Sequence, residues 1–86
     1  MEKEWKIDFS NLKLKEKNVI ENTIARFFGC SRSKATSILL NNIYICKLTF
    51  TEKDTLKRVL KEVNEEIASK IVITVRISDK YVGLIS

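Results

Sequence analysis

Between positions 31 and 37 the chain places Ser31, Arg32, Ser33, Lys34, Thr36 and Ser37, a run of hydroxyls and cations without an acid. These groups suit one kind of chemistry. Hydroxyls and ammonium groups bond phosphate oxygens, and a guanidinium can bond a guanine edge through two parallel N–H donors. Such side chains act together only if a helix holds them on one face, so the flanking residues decide what the run can do.

Residues 21–40, ENTIARFFGCSRSKATSILL, supply that support as two short helices joined by a tight turn. Ala25 is small enough for the second helix to cross closely over the first. Gly29 can take the left-handed conformation that ends a helix without a Cβ penalty. A serine hydroxyl, Ser31 or Ser33, can then cap the next helix. Ile24, Phe28, Cys30, Ala35 and Ile38 fall where the pair needs buried residues. The spacing predicts helices over about 19–28 and 31–40, with a helical piece near 11–17 whose continuity with the first is not readable. Asn41 and Asn42 supply the stop, since Asn tolerates the left-handed region.

The segment IARFFGCSRSKATSIL resembles the helix-turn-helix of lactose-repressor-type and Cro-type DNA-binding proteins, in which an apolar residue and Ala are followed by Gly, an apolar residue and Ser. The resemblance covers about 20 of 86 residues. Ala35 is smaller than the residue usual at its place, and the flanking strands depart from those all-helical families toward a winged or otherwise β-elaborated variant. The resemblance implies that Ser31 caps the recognition helix and meets a phosphate. It implies that Arg32, Ser33, Thr36 and Ser37 reach the major groove, and that Lys34 and Arg26 meet phosphates. Lys47, Asn41 and Asn42 are weaker candidates for backbone contact. The same SRSKA core, followed by Ile38-Leu39 and a strand, also resembles the S4-type RNA-binding domain. The Val-Asn-Gly turn of that domain is missing here, and a long helix follows where it places more strand.

Charge is distributed in keeping with a polyanionic partner. The net charge is +5, and no Asp or Glu occurs from 22 to 51, where Arg26, Arg32, Lys34 and Lys47 all lie. From 52 onward seven Lys/Arg meet six Asp/Glu, so the uncompensated charge sits on and around the two-helix stretch.

Other chemistries lack their residues. There is no His, no Gly-rich phosphate loop and no nucleophile with an evident base, which argues against an enzyme and against a cofactor. Cys30 and Cys46 stand without CxxC spacing, so a metal site is not expected, and they read as small buried hydrophobes in a reducing cytoplasm. No signal peptide or membrane-length apolar run is present.

The rest of the chain reads as scaffold for one domain over 1–86. Trp5, Ile7 and Phe9 alternate with Lys6 and Asp8, a short strand with one buried face. Residues 42–50 are β-branched and aromatic, a second strand. Leu56, Val59, Leu60, Val63 and Ile67 predict a helix over about 52–69, opened by a Thr51-x-x-Asp54 cap. Ile71, Ile73, Val75 and Ile77 line one face of a hairpin that turns at Asp79-Lys80 and returns through 81–85. The expected class is therefore α+β, a winged-helix-like helix-turn-helix with a long amphipathic helix and a C-terminal β-hairpin. The expected function is sequence-specific duplex DNA binding by a homodimer, as a transcriptional regulator or a plasmid or phage centromere-site binder. The 52–69 helix or the hairpin would form the dimer contact. An S4-like RNA binder and a protein-interaction module are the alternatives.

Overall fold

The computed structural model describes residues 1–83. Its elements run β1 (Lys3–Asp8), α1 (Leu14–Phe28), α2 (Arg32–Leu40), β2 (Ile43–Leu48), α3 (Phe50–Val63), α4 (Glu65–Ser69), β3 (Val72–Ile77) and β4 (Lys80–Gly83). The four strands form one antiparallel sheet in the order β2-β1-β3-β4, a mixed α+β arrangement.

The period-two pattern of β1 sorts the sheet into two faces. Trp5 and Ile7 point into the core with Tyr44, Cys46, Leu48, Ile73 and Val75, and the helices cover that face. Glu4, Lys6 and Asp8 point the other way, beside Ile43, Ile45 and Lys47 of β2 and Val72, Thr74 and Arg76 of β3. Trp5 anchors the inner layer. Its indole N–H donates to the Leu48 carbonyl at 2.9 Å, Phe50 meets its ring edge-on, and the stem of Lys53 is buried against it.

Several local expectations shift by a residue or two. The helical piece at 11–17 and the helix at 19–28 are one element, because Glu16 accepts from the Lys13 N–H at 2.8 Å and starts α1 ahead of residue 17. The cap of the long helix is Thr49-x-x-Glu52 rather than Thr51-x-x-Asp54. Thr49 Oγ accepts from the Glu52 N–H and Glu52 returns the bond to the Thr49 N–H, which satisfies two end donors reciprocally.

The expected single helix over 52–69 is broken. Asn64 takes an extended conformation, and its carboxamide oxygen accepts from the Ile67 N–H at 2.9 Å to start α4 afresh. The apolar periodicity carries through the break, since Ile67 is still buried, so the hydrophobic pattern alone did not reveal it. The hairpin turns at Ser78-Asp79, one residue early, with Ser78 at φ 57° and Lys80 already paired with Ile77. Of its expected buried face, Val75 is enclosed, Ile73 half-buried and Ile77 exposed. The last residues of the expected return strand, 84 and 85, lie outside the described residues.

Candidate nucleic-acid interface

The helix pair at 14–40 forms as its residues require. Gly29 sits at φ 63° and its N–H bonds the Arg26 carbonyl, while the Cys30 N–H bonds that of Ala25. Ser31 is the N-cap of α2, its hydroxyl accepting from the Lys34 N–H at 3.1 Å. Ile20 and Ile24 of α1 and Ala35, Ile38 and Leu39 of α2 are buried in the common core. The small Ala35 side chain is fully enclosed there. At the far end Asn42 takes φ 68°, and the Lys17 ammonium bonds its side-chain oxygen at 2.6 Å, tying the exit of α2 back to α1.

With its apolar side buried, α2 presents Ser31, Arg32, Ser33, Lys34 and Ser37 to solvent. Thr36 is half-buried, and its hydroxyl donates to the Arg32 carbonyl within the helix. Arg32 is not idle either. Its Nε donates to Glu21 of α1 at 2.8 Å, a pair in which the arginine is 73% exposed and the glutamate 13%. That hydrogen bond is the first cause holding the Glu21 carboxyl below its ordinary 4.5, with Thr36 adding to it against partial burial. Glu21 is the residue that sequence reasoning passed over. It lies just outside the acid-free window and eleven positions from Arg32, and only the crossing of the helices brings the two together.

Two expected contact residues lie elsewhere. Arg26 faces α3 across a groove of about 360 Å³ lined with Thr23, Phe27, Val59, Glu62 and Val63. Lys47 projects from the open face of the sheet, opposite the helices, because odd positions of β2 point outward. The candidate surface therefore consists of α2 itself with Glu21 at its side.

The charge balance of this stretch of the chain is lopsided, although Arg26 and Lys47 within it face away from α2. Residues 13–48 hold seven Lys/Arg and two acids, and both acids are paired, Glu21 with Arg32 and Glu16 with Lys70 at 2.7 Å. Among the described residues no group of three or more His, Cys, Asp or Glu is placed to hold a metal ion, and no helix is long and apolar enough to cross a membrane. Comparison of the chain with protein-family models, curated proteins and solved structures gives no match.

Proposed function

We propose that the chain binds duplex DNA as a homodimer, with α2 entering the major groove. The observation that carries this reading is the solvent face of α2, where Ser31, Arg32, Ser33, Lys34 and Ser37 stand together within a stretch, 22–51, that holds no acid. In this reading Arg32 exchanges Glu21 for a guanine edge. The other four side chains contact phosphate and neighbouring bases, and Lys34 contributes salt-sensitive affinity. A two-fold dimer sets two copies of α2 on half-sites about one helical turn apart. In a winged arrangement the β3–β4 hairpin would touch the DNA backbone. It occupies the opposite edge of the sheet from β2, so α2 carries the sequence reading here. The biological role is transcriptional regulation or centromere-type site binding on a plasmid or phage, in the cytoplasm.

Selection of bound sequences from a random duplex pool at stated salt tests the proposal and reports half-site spacing. Arg32→Ala is expected to cost about 1–3 kcal/mol on the selected site and relax one base position, and Lys34→Ala to weaken all sequences alike and flatten the salt dependence by about one phosphate. Glu21→Gln works in the opposite direction: it releases Arg32 and removes an acid, so affinity rises. Selection of no site, or indifference to all three changes, overturns the assignment.

One observation favours the S4-like alternative. The left-handed Asn42 joins α2 directly to β2, the helix–turn–strand order of that RNA-binding domain. Competition between duplex DNA and structured RNA at matched salt separates the two, and preference for RNA would replace DNA as the partner.

A further inference from the structure

We infer that the free edge of β2 is a self-association site, where β2 of a second copy pairs antiparallel and joins two sheets into one. This names the interface of the proposed homodimer, yet its argument does not depend on DNA.

The edge is unusual in what it lacks. β2 is the outermost strand, and all six of its residues pair with β1 without a bulge. The chain contains no proline, and Lys47 is the one charged residue of the strand. Of the devices by which proteins blunt a sheet edge, β2 has no bulge, no proline and no inward-pointing charge, and Lys47 near its end is the one it carries. Ile43 and Ile45 stand beside that edge on the open face, 44% and 46% exposed. β4, the opposite edge, is four residues long and opens on Lys80.

The backbone is oriented for pairing. The Phe9 N–H donates to the Asn42 carbonyl at 2.7 Å, one step beyond the β1–β2 register. By the alternation of antiparallel ladders, Tyr44, Cys46 and Leu48 then turn their peptide groups to β1, while Ile43, Ile45 and Lys47 turn theirs outward. The Ile43 N–H folds back onto the Asn41 carbonyl at 2.8 Å. The Ile43 carbonyl and both peptide groups of Ile45 and Lys47 take no partner within the sheet.

The strand suits a copy of itself. A two-fold axis perpendicular to the sheet keeps outer faces together, so only residues of like parity can lie opposite. Centring the pair on Ile45 places Ile45 against Ile45 and Lys47 against Ile43, so that the two Ile45 residues exchange both peptide bonds and the Lys47 N–H meets the Ile43 carbonyl, while the Ile43 N–H keeps its bond to Asn41. Apolar groups meet, and the two lysines are separated rather than opposed. The outer surface of α3 offers no such match, since Arg58, Lys61 and Glu62 occupy it.

Light scattering or sedimentation of the full chain without nucleic acid, across concentrations reaching the millimolar range, tests this. The wild type is expected to dimerise. Ile45→Lys, which sets like charges across the axis at a half-exposed position, should raise the dissociation constant on the order of tenfold or more. Val63→Lys, at a similarly exposed apolar site on α3, should leave it unchanged. Amide exchange of the wild type gives a second readout that needs no variant: Ile45 and Lys47 should gain protection as concentration rises. A monomer throughout, a dimer broken by Val63→Lys and not Ile45→Lys, or a dimer without protection at Ile45 and Lys47 overturns the inference. A dimer that binds no duplex would leave this interface standing and remove the DNA reading.

Discussion

At Gly29 the backbone is at φ 63°, and nothing lies within 4 Å of where a Cβ would stand. The requirement for glycine is therefore conformational and not steric. Gly29→Ala should cost about 1 kcal/mol in urea unfolding, the left-handed strain alone. Cys46 makes a second prediction from its surroundings. Half-burial beneath the helices pushes its thiol up to about 11, from an ordinary 9.0. At pH 8 the thiolate fraction, and with it the alkylation rate, should fall about a hundredfold below that of an unperturbed thiol, as peptide-mapped labelling can measure. Arg32 and Glu21 are the pair through which the proposed binding would be felt at this scale, since the acid already holds the guanidinium that the proposed partner would take.

At the scale of elements, the capping boxes and turns matter more than propensity. Thr49 begins α3 immediately after β2, so its cap fixes where the strand ends and the helix starts. Thr49→Ala should destabilise the domain by about 1 kcal/mol, read as a lower urea midpoint at unchanged slope. Asn64 performs the same service for α4, and its extended backbone is what turns one long amphipathic pattern into two helices. β2 stands between the left-handed Asn42 and the Thr49 cap with one edge bonded and one edge open, which makes it both the exit of α2 and the proposed junction with a second copy.

Over the whole molecule, ion pairs fasten elements distant in sequence. Glu16 of α1 bonds Lys70 after α4, and Glu4 of β1 accepts from Tyr81 of β4 and from Arg76 of β3. The Lys13 N–H and then Lys70 hold the Glu16 carboxyl below its ordinary 4.5; Tyr81, then Arg76, do so for Glu4, and Ser10 holds Asp8 below 3.8. A depressed carboxyl binds its proton more readily in the unfolded chain. Stability from these groups is therefore full above their ordinary values and lost as pH falls through the lower folded ones. Lys70 is raised above its ordinary 10.5, chiefly by Glu16, so its contribution holds below that value and fades as pH rises beyond it. Tyr81, raised above 10.0 by its bond to Glu4, follows the same alkaline direction. Thermal unfolding across pH should show a plateau near neutrality with acid and alkaline shoulders. Glu16→Gln should flatten both shoulders, because it removes a depressed carboxyl and the partner that raises Lys70.

Much of this is legible in the sequence. The alternation in β1, the glycine turn, the serine cap of α2 and the apolar stripe of α3 are local patterns whose periods of 2 and 3.6 are written in neighbouring residues. Strand order, the break at Asn64, the attachment of Arg32 to Glu21 and the separation of Arg26 and Lys47 from α2 are not. Each depends on which faces meet across tens of residues, and that is decided by packing against a common core. The sequence by itself determined that a polar, basic helix would follow a tight turn. Tertiary structure decided that this helix stands apart from Arg26 and Lys47, with Glu21 paired to its Arg32, beside a sheet whose outermost strand is β2, because those placements depend on which faces pack on the core.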